Sequence, residues 1–205
     1  MVETFMKDGL DCDFAAEEWD RLCARDHASL AVAEPEREVT VGDLILKARQ
    51  RAGQFIKQGV TLGDRVIVAR PNVIEFVVDY LAVRLCGGVL VNLPWSGGTS
   101  ITELAEILDA KVVVLTEHLV GDNPLFDQLG DRRFREDEKA PIGPERPVPR
   151  LGEELAWLAC TSGTTGTPKA AKHTGATWQR QTEVFAKHFG LTKDDPILVS
   201  SPVGH

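Results

Sequence analysis

The stretch RVIVARPNVIEFVVDYLAVRLCGGVLVNL, Arg65–Leu93, decides the fold. RVIVA (Arg65–Ala69) is a short apolar run entered from a Gly63-Asp64 turn, and it predicts a buried strand. The next thirteen residues, Val73–Leu85, predict a largely buried helix with Asn72 and Glu75 as a capping pair. Gly87-Gly88 ends that helix, and Val89–Leu93 reads as a second strand. The pattern then recurs. Ser100 with Glu103 caps a helix whose inner face carries Ile101, Leu104, Ala105 and Leu108, and Lys111–Leu115 (KVVVL) is the following strand. Strands that are apolar without a period of two, separated by helices, predict an α/β fold: a mostly parallel sheet flanked by helices. Glu75, Asp79 and Arg84 interrupt the most apolar region, which argues against a membrane span.

Working outward, Ala15–Leu30 reads as a helix and Ala31–Val39 as a polar connection. Thr40, with Asp43 three residues on, opens a helix that Gly59 stops. Beyond KVVVL, Glu117–Arg150 is charged and rich in proline near its end, and it predicts a long connection with little regular structure. Leu155–Cys160 is the next strand, Thr174–Phe189 a helix closed by Gly190, and Pro196–Ser200 a last strand. Two units are expected: an α/β subdomain over residues 1–150, and an incomplete second subdomain over 151–205.

The composition excludes several classes. Acidic residues outnumber basic ones by 31 to 23, for a formal charge of −8. A net negative chain is poorly suited to general nucleic-acid binding, which needs clustered Lys and Arg. Cys12, Cys23, Cys86 and Cys160 match no zinc spacing and suggest no disulfide framework. The N-terminal residues carry charges throughout, with no signal-peptide stretch, so a cytoplasmic protein with reduced thiols is expected.

The chemistry lies in LACTSGTTGTPKAAKHT, Leu158–Thr174. Gly163 and Gly166 let a ligand approach the main chain closely. Thr161, Ser162, Thr164, Thr165 and Thr167 supply hydroxyl donors, exposed N–H groups in such turns form anion nests, and Lys169 adds a positive charge. The segment suits a polyphosphate. It is not a Walker A loop, because counting from Gly163 puts Pro168 and Ala170 where that motif needs Gly and a metal-binding hydroxyl.

Thr161–Lys169, TSGTTGTPK, resembles the phosphate-binding motif of the adenylate-forming (AMP-binding) acyl- and aryl-CoA synthetase superfamily over all nine residues. Val39–Val66, Leu85–Pro94 and Thr102–Leu115 resemble other family stretches in the same order, so the likeness covers roughly residues 37–205. It implies the N-terminal part of the large domain of an acyl-CoA synthetase-like fold, from an AMP-forming acid–thiol ligase. The implied chemistry uses ATP, Mg2+ and coenzyme A: a carboxylic acid substrate becomes an acyl-adenylate, and a thiol then displaces AMP. The implied nucleotide-binding residues are Thr161, Ser162, Gly163, Thr164, Thr165, Gly166 and Lys169, with Lys169 also catalytic; no residue is assigned to a metal. His205 falls where members have a His near the acyl pocket. Ala170 replaces the Gly that most members have after the loop Lys.

The family's later motifs, a Tyr-Gly-x-Thr-Glu segment, a ribose-binding Asp and a C-terminal Lys, do not occur in these 205 residues. The chain alone is therefore expected to be an inactive N-terminal portion. The alternative is a stand-alone nucleotide-binding or interaction module that kept the loop and lost catalysis. A linker reading of the loop, a packing role for His173, core roles for Trp157 and Trp178, and a buried inert Cys160 are the plainer readings of those residues.

Overall fold

The structure is a computed structural model, and it describes residues 13–93, 101–116, 124–161, 169–192 and 194–201. Helix α1 (Phe14–Cys23) leads to an antiparallel hairpin of β1 (Leu30–Glu34) and β2 (Arg37–Thr40). Then follow α2 (Val41–Lys57), β3 (Arg65–Ala69), α3 (Ile74–Leu85), β4 (Val89–Asn92), α4 (Ile101–Ile107) and β5 (Ala110–Leu115). A 3-10 helix kinked at Gly130 (Pro124–Arg132) precedes β6 (Leu155–Thr161), β7 (Lys169–Thr174) and α5 (Gly175–Phe189). The main sheet has the order β5-β3-β4-β6-β7. Its first four strands are parallel, and β7 runs antiparallel to β6.

Both faces of this sheet are covered, which is why its strands show no polar alternation. Val66, Val68, Val112, Val114 and Leu90 pack on one side with Trp19, Leu44, Phe55, Val78 and Leu81 from α1, α2 and α3. Ile67, Val89, Val91, Val113 and Leu158 pack on the other with Leu104 and Ala105 of α4 and with Leu129. Successive side chains of a strand point to opposite faces, and here each face meets an apolar layer.

Several local expectations hold. The Thr40 hydroxyl accepts from the Asp43 N–H at 3.1 Å and caps α2. Gly59 (φ 87°) follows α2, and Gly190 (φ 64°) ends α5 in the left-handed region open to glycine. Other expectations need correction. The first helix stops at Cys23 instead of running to Leu30, because Asp26 organises a turn. Its carboxylate accepts from the Ala28 N–H at 3.0 Å, and its carbonyl accepts from the Ser29 hydroxyl at 2.6 Å. Residues 31–39, read as a connection, form most of the hairpin. Their strands stay largely exposed or half-buried, so they carry no apolar period.

The Asn72–Glu75 cap on α3 does not form. Val73 occupies the cap position, and the Glu34 carboxylate of the hairpin accepts from the Ile74 N–H at 3.0 Å. Glu75 is instead held by the Arg37 fork, at 2.8 and 2.9 Å. A tertiary contact has replaced a local one. The Ser100 cap lies outside the described residues. Strand β7 follows the loop where only a loop was expected, pairing with β6 from Leu155↔Thr174 to Thr161↔Lys169. Pro196–Ser200 is not a strand, because a strand needs a ladder partner. Ile197, Leu198 and Val199 are exposed, and the Asn72 amide donates to the carbonyls of Val199 and Ser201.

The described part of the connection 117–150 is irregular after the 3-10 helix but firmly seated. The Phe134 N–H donates to the Val113 carbonyl at 2.8 Å, Gly143 to Arg49 at 2.9 Å, and the Trp19 indole to Glu145 at 2.8 Å. Its tightest seat is against Gly53 of α2, where a Cβ would lie 1.7 Å from the Pro141 carbonyl oxygen. Alanine raises helix propensity by up to about 1 kcal/mol over glycine. Gly53→Ala is nevertheless expected to destabilise the protein by about 1–3 kcal/mol, the range for overpacking. A urea midpoint equal to or above that of the parent would show that the connection does not dock there.

Candidate functional site

The described anchors of the candidate phosphate loop are the ends of β6 and β7. Thr161 closes β6 and Lys169 opens β7; the two are register partners, with Cys160↔Ala170 behind them. Residues 162–168 therefore join two paired antiparallel strands. Because β6 runs parallel to β4, the loop leaves from the carboxyl edge shared by β3, β4, β5 and β6. Open α/β sheets bind ligands at that edge. Ser162, Gly163, Thr164, Thr165, Gly166 and His205 lie outside the described residues, as do Thr167 and Pro168. Of the implied site residues, Lys169 is described with its side chain, which is exposed, and Thr161 is described as strand.

The supports of the loop are ordered by packing. Cys160 is buried among Ile67, Val91 and Leu158, and burial pushes its thiol above the ordinary value. Cys86 is likewise buried, with its thiol pushed up to about 12. Neither resembles a reactive thiol, since the thiolate is the nucleophilic form. Trp157 packs on the core, and its ring meets Trp178 of α5 edge-on, with centroids 4.3 Å apart. His173 lies across the strand pair from Trp157, with ring centroids 5.5 Å apart. This aromatic group ties β6, β7 and α5 together and gives the loop a rigid base. Thr174 caps α5 by accepting from the Thr177 N–H at 3.2 Å.

The donor set fits a polyphosphate: small hydroxyl residues and glycines between two anchored strands, with a lysine at the exit. Among the described residues no group of three or more His, Cys, Asp or Glu could hold a metal ion. Among them, too, no helix is long and apolar enough to cross a membrane.

A second feature of the same edge was not legible in sequence. Asp79 of α3 is wholly buried; it accepts from Arg51 of α2 at 2.7 Å and also from Arg70, which follows β3. Arg51 reaches on to Glu136 at 2.8 Å. Burial pushes the Asp79 carboxyl upward, while Arg51 and Arg70 act in the opposite sense. The partners come from widely separated stretches, so no local spacing announces them.

A family model for AMP-binding enzymes matches residues 19–205. Acetyl-coenzyme A synthetase 1 from Candida albicans is 28% identical over 209 residues, taking in 83% of this chain and 31% of that protein. Among solved structures, the o-succinylbenzoate CoA synthetase MenE from Bacillus subtilis, in complex with the acyl-adenylate intermediate OSB-AMP, aligns with a TM-score of 0.77. It is 20% identical, and the alignment covers 91% of this chain and 50% of that one. ATP-bound MatB from Rhodopseudomonas palustris aligns with a TM-score of 0.77 at 23% identity, covering 93% of this chain and 41% of that one. At such identities the structural likenesses show a common fold. The chain spans about a third of the length of the curated relatives it matches first. With the family model covering all but the first eighteen residues, the chain belongs to the AMP-binding enzyme family.

Proposed function

We propose that this chain supplies the ATP-phosphate grip of an AMP-forming acid–thiol ligase. The observation that supports it most is the nine-residue TSGTTGTPK segment, whose ends are paired strands at the carboxyl edge of a parallel sheet. ATP would supply the activated phosphorus: a carboxylate attacks the α-phosphate, an acyl-adenylate forms and pyrophosphate leaves. A thiol, coenzyme A in this reading, then displaces AMP. The hydroxyls and backbone N–H groups of residues 161–166 would bind the β- and γ-phosphates, and Lys169 would meet the negative charge that grows on the leaving pyrophosphate. Holding acid and nucleotide together removes much of the entropic barrier. Strands β6 and β7 with α5 open the second unit of the chain, and the 205 residues alone are expected to grip nucleotide phosphate without turning over acid.

In the enzyme that contains this chain, Lys169→Ala is expected to slow acid-dependent ATP–pyrophosphate exchange by about 10²–10³-fold, the usual effect of removing one preorganised donor. Thioester formation from pre-formed acyl-adenylate should change far less, because pyrophosphate has already left. Equal exchange rates in variant and parent would end the assignment of Lys169. Absence of exchange with any carboxylic acid, alongside intact nucleotide binding, would favour the stand-alone binding module.

A further inference from the structure

At the carboxyl edge of the sheet, on the far side from the loop, lies a cavity of about 690 Å³. That size lies within the range of small-molecule sites. Arg70, which follows β3, and Thr116, which follows β5, form part of its wall. The chain leaves β3 for α3 on one face of the sheet, whereas the chain leaving β5 reaches the 3-10 helix, whose Leu129 packs on the other face. Connections diverging from adjacent parallel strands open a crevice, and such switch points are where α/β sheets bind ligands.

The chemistry of the wall is that of an anion site. Arg37, Arg70, Arg133 and Arg135 line it against two carboxylates, Glu75 and Glu136. Arg37 also pairs with Glu34, Arg70 with Asp79 and Arg133, at 4.0 Å, with Asp127, which leaves Arg135 as the lining arginine without an ion pair among the described residues. Both lining carboxylates are already committed to arginines. Glu75 accepts the Arg37 fork, which holds it below its ordinary value, and Glu136 accepts from Arg51. Arg133 forms a parallel bridge beside Val113 of β5, and Arg135 follows two residues on, so both stand along the outer edge of the sheet. Arg135 makes one long hydrogen bond, at 3.5 Å, to the Gly130 carbonyl. Thr116 is 6% exposed, and its hydroxyl is buried with no hydrogen-bond partner among the described residues. A buried polar group left without a partner is costly, so a phosphate oxygen that reaches this hydroxyl would be favoured. The Phe134 ring completes the wall with an apolar surface.

We propose that this crevice binds the phosphate group of a small organic molecule, at a site separate from the loop at 162–168. Guanidinium forks match phosphate oxygens, and a hydroxyl beside them donates to the same group. With β3 and β4 between β5 and β6, the site stands roughly 10–15 Å from the loop anchors at ~4.8 Å per strand.

The test is calorimetric titration of the full chain with orthophosphate, phenyl phosphate and succinate, repeated in Arg135→Glu, Thr116→Val and Lys169→Ala variants. Phenyl phosphate is expected to bind at least tenfold more tightly than orthophosphate. Arg135→Glu should weaken it tenfold or more. Thr116→Val should weaken it threefold or more while leaving the melting temperature equal or higher, since valine removes an unsatisfied hydroxyl; a merely structural threonine would not show this split. Lys169→Ala should leave the affinity unchanged, which separates this site from the loop. Binding lost in Lys169→Ala but kept in Arg135→Glu would overturn the proposal. So would equal affinity for succinate, or no binding of phenyl phosphate at about 10 mM.

Discussion

Replacing Asp79 by alanine is expected to cost about 3–5 kcal/mol of folding stability, the range for breaking a buried ion pair from one side. Asp79 is wholly buried in α3, and its two oxygens face Arg51 and Arg70, whose side chains are also almost fully buried. Removing the carboxylate leaves two guanidinium groups facing each other across a small apolar gap. Glu136 touches Arg51, but its side chain is 70% exposed and cannot replace a buried counter-charge. The variant should therefore unfold at a much lower urea concentration with an unchanged slope. The loss should also reach the carboxyl edge, because Arg70 would no longer be held beside the crevice. A shift below about 1 kcal/mol would show that water reaches the cluster and that the ion pairs contribute little.

Phe55→Ala is the second large effect, at about 3–5 kcal/mol for an aromatic deleted from a closed core. Phe55 has no exposed surface. Its ring meets Phe134 edge-on, with centroids 5.2 Å apart, and the Arg51 guanidinium lies 4.6 Å above the Phe134 ring. One substitution thus empties the middle of the layer between α2 and the sheet and unseats the connection at 134. Stability from urea unfolding and protease sensitivity of residues 133–148 should change together. A loss of stability with no gain in cleavage there would mean that the hydrogen bonds at Phe134, Gly143 and Val148 hold the connection without the ring.

Those two residues show where sequence reading reaches its limit. Phe55 was legible as core, because Leu44, Ile45, Ala48, Ala52, Phe55 and Ile56 recur at helical spacing; of these Ile45 is half-buried and Ile56 exposed, and the rest are buried. Asp79 was legible only as a charge that spoiled a membrane span. Its partners lie 28 residues before it and nine before it, and no spacing rule links a carboxylate to such positions. The Glu75 error has the same origin: the capping pattern was present, but Arg37, 38 residues away, supplied a charged partner for the carboxylate. The hairpin at residues 30–40 was missed because its strands face water on much of their surface.

The positions of the four parallel strands in the main sheet followed from residue chemistry, whereas the antiparallel β7 did not. RVIVA, VLVN and KVVVL are too apolar and β-branched to lie anywhere but a sheet covered on both faces, and glycines with fixed backbone demands mark their boundaries. The candidate phosphate loop stood out as a segment, since its hydroxyls, glycines and lysine are contiguous. Only the tertiary structure decided which strands are neighbours. The order β5-β3-β4-β6-β7 places Arg70 beside Thr116 and opens a charged crevice at the same edge as the loop. Local sequence sets periodicity and turn geometry within a few residues. Strand order, buried ion pairs and clefts depend on contacts between distant segments, which form only when the whole core closes.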